Sequence, residues 1–383
     1  MKTRIFTLPV FATLLVAGIF SACQSQKQEK ALISISEQAL YASSLSSAFD
    51  QYRFIPLETN DNTLLGRISK IVEYKDKFYI ATDRKRILAF NADGSFSHRI
   101  DRPGRGPQEY TELADFDISN DRIFLLDHRK VLIYTLTGEF IKRIDLSCNT
   151  LNLQVVGSDL LIRSNKESLF YRVETGSGKC LDLRIGIKES TRLSEENCFK
   201  SYADGYLMQQ GFSNSFYHIA ADFTIGEIEL LDDDRLFDAA TEESYLHDYG
   251  SDYDSKTGDC YIGGWAGWSE QILCRIQRNP TYEIVEYVAA DLATKKAVCR
   301  LSSKCTDDIS YMGLPDLIRF VGRGASKEQF ITYLRPDELR KAILRHGDDG
   351  SEHSRWMKEH LLDRLHDDDN PVLFIFRFKA ADE

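Results

Sequence analysis

Gly263-Gly264-Trp265-Ala266-Gly267-Trp268 is the most unusual stretch of this chain. Flat indole faces beside residues without side chains can stack on a sugar or another ring-shaped ligand. Trp265 and Trp268 are therefore ligand-binding candidates, although the same rings also suit core packing. Two charged turns share a pattern: Asp83-Arg84-Lys85-Arg86 and Asp127-His128-Arg129-Lys130. Held at one level, they can ring a pocket mouth, which makes Arg84, His128 and Arg129 candidates. As plain solvated turns, each Asp would cap its own backbone. In Gly104-Arg105-Gly106-Pro107-Gln108-Glu109-Tyr110, Arg105 and Glu109 can pair or face a ligand, while the glycines and proline alone account for a tight path. This loop lacks the Lys-Ser/Thr of a phosphate loop.

Other chemistry is excluded by spacing. His346, His353 and His360 recur every seventh residue, two helical turns apart, too far to share a metal directly. Asp252-Tyr253-Asp254-Ser255-Lys256 opens like a calcium loop, but Lys256 occupies the third ligand position and no Glu closes it. No Gly-x-Ser-x-Gly elbow is present. No metal or cofactor is expected, and no catalytic residue is assigned. Eight cysteines include Cys23. Cys299 with Cys305, and Cys260 with Cys274, are spaced to face each other across hairpins; all can equally serve as small buried hydrophobes. The formal net charge of −11 makes nucleic acid and anionic lipid poor partners.

The elements that must carry these residues are short strands. Residues 67–144 read as one unit written twice. The first copy holds Ile68–Val72, Phe78–Ile80, Arg86–Phe90 and Phe96–Ile100. The second holds Leu113–Phe116, Ile123–Leu125, Lys130–Tyr134 and Phe140–Ile144. Gly94 aligns on Gly138 and Phe90 on Tyr134. Asp76-Lys77 and Asp121-Arg122 mark one hairpin tip, and Asp93-Gly94 and Thr137-Gly138 the other. A repeat of roughly forty residues built from short strands predicts propeller blades, whose faces are buried only by stacking around an axis. Weaker copies follow to residue 379, broken by an acidic insertion at about 230–252 and a helical one at about 337–366. Pro371–Lys379 is expected to pair with material near Tyr52–Leu57 and so remove an open edge.

Residues 1–22 read as a leader: Lys2 and Arg4, then the apolar run Phe6–Phe20. Phe20-Ser21-Ala22-Cys23 resembles a bacterial lipobox. That implies cleavage before Cys23 and acylation there, an anchor of several chains. Residues 23–49 are then the lipidated tether and linker, and residues 50–383 the propeller with its two insertions.

Ile55-Pro56-Leu57-Glu58-Thr59, Gly66–Ile71, Gly104–Tyr110 and Asn370–Phe376 together resemble the six-bladed β-propeller lipoproteins of Gram-negative gut bacteria, relatives of NHL-repeat propellers. The resemblance implies an all-β, six-bladed β-propeller with a helical insertion near the C-terminus. It also implies a cell-envelope location, lipid-anchored and on the outer membrane. A non-enzymatic module binding a glycan or an envelope protein is expected. The alternative is an NHL-like lyase or hydrolase using the axial channel, which would need channel-facing His or acidic residues. His98, His128, His218 and His247 do not recur at equivalent positions, which favours binding.

Overall fold

The computed structural model describes residues 32–35, 41–187, 199–202, 205–211, 214–236, 260–268, 270–278, 283–314, 324–325 and 329–380. The chain enters through strand β1 (Ile33–Ser34), helix α1 (Leu45–Ala48) and β2 (Phe49–Pro56). The first repeat follows as β3 (Ile68–Tyr74), β4 (Lys77–Thr82), β5 (Arg86–Asn91) and β6 (Phe96–Ile100). The second is β7 (Asp115–Ser119), β8 (Arg122–Asp127), β9 (Lys130–Thr135) and β10 (Phe140–Asp145). The third is β11 (Asn152–Val156), β12 (Asp159–Lys166), β13 (Ser168–Val173) and β14 (Cys180–Asp182). The fourth is β15 (Lys200–Tyr202), β16 (Gly205–Gln209), β17 (Ser215–Ile219) and β18 (Ile225–Glu229). Then come β19 (Leu231–Asp232), β20 (Cys260–Gly267), β21 (Gln271–Arg278), β22 (Glu283–Asp291) and β23 (Lys296–Ser302). The chain ends with β24 (Gly324–Ala325), β25 (Phe330–Leu334), α2 (Pro336–His346), α3 (Glu352–Met357) and β26 (Val372–Phe378).

The middle strands are apolar on both faces. Phe78–Thr82 and Ile123–Asp127 are buried without a break, because each blade is covered on both sides. The hairpin tips sit one residue earlier than expected. Lys75-Asp76 and Asn120-Asp121 take positive φ at both turn positions, and Lys77 and Arg122 already begin the next strands. Two left-handed residues match the twist of the strands they join. Gly94 and Gly138 hold φ of 87° and 86° in the second hairpin, as expected.

Hydrophobic clusters join each sheet to the next around the ring. Phe116 and Ile87 share one cluster, Leu126 and Leu153 the next, and Leu161 and Met208 a third. Phe216 shares a cluster with Ile276, Leu273 with Phe374, and Leu373 with Ile71. Five of the described sheets carry at least four strands. The remaining one, β2-β26-β25, has three. The expectation of a six-bladed propeller is corrected: among the described residues five sheets are full blades, and the chain ends build a further sheet that only three segments reach. Residues 33–34 and 45–49, expected within the tether, also belong to the fold. Ile33-Ser34 pairs in parallel with Leu231-Asp232, and Leu45 and Phe49 are core residues. Their apolar side chains find buried sites that a solvated linker would not offer. Of the acidic insertion, residues 237–252 lie outside the described residues. The helical insertion is present as α2, α3 and a π-turn at Lys358–Leu362.

Chain ends meet as expected. β26 lies between β2 and β25, with Phe54 opposite Phe374 and Phe330 opposite Phe376. Pro56 sits at the end of the edge strand, where its missing N–H is harmless. Asn370 locks the corner. It donates to the carbonyls of Glu58 (2.7 Å) and Thr63 (2.9 Å) and accepts from Leu65 N–H at 2.8 Å. Removing residues 370–383 should expose both β2 and β25. We expect the truncated chain to aggregate and to show no cooperative thermal transition by circular dichroism; a monomer with a sharp melt would contradict the closure.

Candidate functional site

The two charged turns share one structural role. Arg67 N–H donates to Asp83 Oδ1 at 2.9 Å, and Thr111 N–H to Asp127 Oδ2 at 2.7 Å. Each Asp thus caps not its own turn but the segment entering its blade. Gly66 is required here, since a Cβ would fall 2.1 Å from the Asp83 carboxylate. Asp83, Arg84 and His128 all hold positive φ, a conformation that costs energy outside glycine.

Glu112 draws the turns together. Its carboxylate takes Arg84 Nη2 at 2.6 Å and His128 Nε2 at 3.2 Å. Leu113 N–H donates to the Arg84 carbonyl at 2.8 Å. Lys130 completes the assembly, reaching Asp127 at 3.1 Å and the Glu109 carbonyl at 2.9 Å. Arg84 and His128 remain about two-thirds exposed, at 62% and 65%. Arg105 and Arg129 are exposed, and no described residue forms an ion pair with either. Glu109 does not pair with Arg105. Its carboxylate accepts Gly106 N–H at 2.9 Å and fills the space a Gly104 Cβ would need. Glu112 and Lys130 thus tie together the turns and the loop that carry Arg84, Arg105, Glu109, His128 and Arg129. Four are basic side chains facing solvent, and Glu109 is spent on its own loop. Glu112, the residue that links the turns, has no counterpart in the repeat and was not recognisable from sequence.

The tryptophans are elsewhere and inside. Trp265 and Trp268 are 4% and 2% exposed, which overturns the stacking-platform expectation. Trp265 packs edge-on against Phe216, centroids 5.1 Å apart. The glycines serve the strand: a bulge falls between Ile262 and Gly264, and the space beside Gly263 holds the Gln277 side chain. The same hairpin register places Cys260 opposite Arg278 and Cys274 opposite Trp265, so these cysteines do not face each other. Cys299 pairs with Ala289, not with Cys305, which lies in the turn beyond β23. Of the three tryptophans, Trp356 is the exposed one, stacked on His360 at 4.9 Å. The insertion histidines have local partners: His346 stacks on Tyr311, and His353 meets the Ile309 carbonyl at 2.8 Å. Cys23, the expected lipidation site, lies outside the described residues.

A second group was missed by sequence reasoning and occupies the inner strands. Asp115 accepts from Leu153 N–H (3.0 Å) and pairs with Lys70 Nζ (3.0 Å). Asp117 accepts from Val155 N–H (2.9 Å) and Gln154 Nε2 (2.5 Å). Burial raises the Asp117 carboxyl above the usual carboxylate range, against the lowering pull of Lys70. Asp-x-Asp on a strand was the available signal, because Asp is depleted there. Both carboxylates are consumed by neighbouring groups, so they give no support to an acid–base pair for the lyase or hydrolase alternative.

Mostly antiparallel sheets packed around an axis, with few helices near the C-terminus, make this an all-β propeller. The chain belongs to the family described as a domain of unknown function, DUF4934, which matches residues 33–377. A crystal structure from Bacteroides fragilis, of a protein whose name proposes export, superposes with a TM-score of 0.68 at 17% identity. It covers 91% of this chain and 99% of that one, and shows the fold alone. BamB from Moraxella catarrhalis (9% identity, 66% of each chain, TM-score 0.36) and virginiamycin B lyase from Staphylococcus aureus (14%, 61% of this chain and 73% of that one, TM-score 0.38) are too distant to carry an argument. No curated protein matches the sequence. Among the described residues, no helix is long and apolar enough to cross a membrane.

Two outcomes follow. Trp265→Ala and Trp268→Ala should each cost about 3–5 kcal/mol in denaturant unfolding, while acrylamide quenching should vanish in Trp356→Phe. Asp115→Ala, which breaks the Lys70 pair and removes the acceptor of an inner-edge N–H, should cost on the order of 3 kcal/mol; a change below about 1 kcal/mol would show the pair to be merely superficial.

Proposed function

We propose that the protein is a lipid-anchored binding module of the cell envelope, and that Arg84, Arg105, His128 and Arg129 form its docking face for an acidic envelope glycan. The observation that carries this is the shared Glu112. One carboxylate serves two turns, leaving an excess of exposed cations on an otherwise acidic chain. Arginine forks suit carboxylate and phosphate groups. The turns are held in costly left-handed backbone by bonds from neighbouring segments, so the side chains are presented on a rigid base.

In this reading the three-stranded sheet of chain ends acts as a sixth blade; the clusters on both its sides support that. Residues 1–22 are a removed leader, Cys23 carries the acyl chains, and the anchor holds the propeller at the outer membrane. The anchor's support is the lipobox-like Phe20–Cys23, and the location agrees with the exported character proposed for the Bacteroides fragilis protein.

Calorimetry with an acidic and a neutral polysaccharide tests the docking face. We expect binding to the acidic polymer only, weakening with added salt. Arg105→Glu with Arg129→Glu should lower affinity at least about tenfold without changing the melting temperature. Equal affinity for the neutral polymer, or no loss on charge reversal, would refute the assignment. Separately, Cys23→Ser should move the protein from the membrane fraction to the soluble one.

A further inference from the structure

Cys148 lies in the connection from the second blade to the third, and Cys180 begins β14, the outer strand of the third blade. Their sulfurs stand 3.5 Å apart across 32 residues of chain, with the Cys148 thiol donating. Cys148 is buried and Cys180 is partly exposed. A disulfide needs about 2.05 Å between sulfurs, an approach of roughly 1.5 Å by one loop side chain. The same corner is already a contact between blades: a Cβ on Gly178, two residues before Cys180, would meet Ile144 Cγ2 at 3.2 Å.

We propose that Cys148 and Cys180 are a cross-linking pair, oxidised to a disulfide that clips the second blade to the outer edge of the third. Cys180 is the attacking thiol. Its sulfur receives hydrogen bonds from the Cys148 thiol, then from the Ser147 hydroxyl and the backbone N–H groups of Ser147 and Cys148. These outweigh burial and hold it down at about 5. The Cys148 thiol is raised by the same pairing, then by burial, so it is not the first of the two to attack. The oxidant is a disulfide of a thiol oxidoreductase or of a small thiol. Cys180 Sγ attacks one of its sulfurs, forming a mixed disulfide and expelling the first thiolate. Cys148 then loses its proton and attacks Cys180 Sγ, expelling the second. Two electrons pass to the oxidant, and its two thiolates take up the protons.

The pairing is specific. Cys274 and Cys299 are buried, and burial raises their thiols, that of Cys299 to about 12. The clip also bears on the docking face, since Leu146 N–H donates to the Arg129 carbonyl at 2.7 Å and Thr150 Oγ1 to that of His128.

The test treats reduced, full-length protein with glutathione disulfide, then alkylates and maps the peptides without reduction. It does not depend on where the protein resides. We expect one cross-linked peptide pair containing Cys148 and Cys180, a mass lower by two hydrogen atoms, and a melting temperature about 5 °C higher than that of the reduced form. Cys180→Ser should abolish the shift. Full alkylation of both thiols, or a cross-link from Cys180 to Cys198, would overturn the pairing; because the wild-type map decides this, a variant that misfolds does not obscure it.

Discussion

Every blade of a propeller turns one strand edge toward the axis, and the amide groups along that edge have no strand to pair with. This structure meets the constraint with side chains from the blade before. Asp115 and Asp117 stand two apart on β7 and so project the same way. They reach Leu153 and Val155, also two apart on β11. Further round, Gln209 of the fourth blade donates to the Ile262 carbonyl of the fifth, while in the reverse sense Tyr206 of the fourth blade donates back to the Val155 carbonyl of the third. The first blade uses backbone instead, with Gly324-Ala325 alongside Ile71-Val72. Buried carboxylates are costly unless each oxygen is bonded, so these bonds set the angular register of neighbouring sheets.

The outer face depends on that register. Connections between blades bond the turn carbonyls of the blade they leave, as Leu113 does Arg84 and Leu146 does Arg129, while Asp83 and Asp127 hold the segments entering their own blades. Arg84 and His128 can share Glu112 only because two blades fix the distance between their turns. A basic patch assembled from three sequence segments is thus a property of the ring rather than of any loop.

Much of this was legible in the chain. The doubled unit, its glycine turns and the pairing of chain ends come from periodicity and turn chemistry, which are local. The tryptophan stretch misled because composition does not report burial: glycine beside an indole suits an open platform and a bulged, covered strand alike. The pairing that closes the ring was expected; that only three segments reach the closing sheet was not, because no local pattern reports how many strands a sheet gathers. Glu112 acts across the turns of two blades, so no repeat of type or spacing announces it, and the Asp115–Asp117 pair left only the weak signal of Asp-x-Asp on a strand. Cys148 and Cys180 are likewise neighbours only after the second and third blades have packed.

The position of β26 has a consequence for time. It fills the slot between β2 and β25, pairing residues near both ends of the chain. Local hairpins can form early, but their ring has a gap until the last segment arrives. Long-range pairing of this kind slows folding, because the loop entropy is lost before any contact rewards it. A chain emerging from its N-terminus therefore stays open until β26 is available. Until β26 arrives, the edges of β2 and β25 stay open to pairing with other chains.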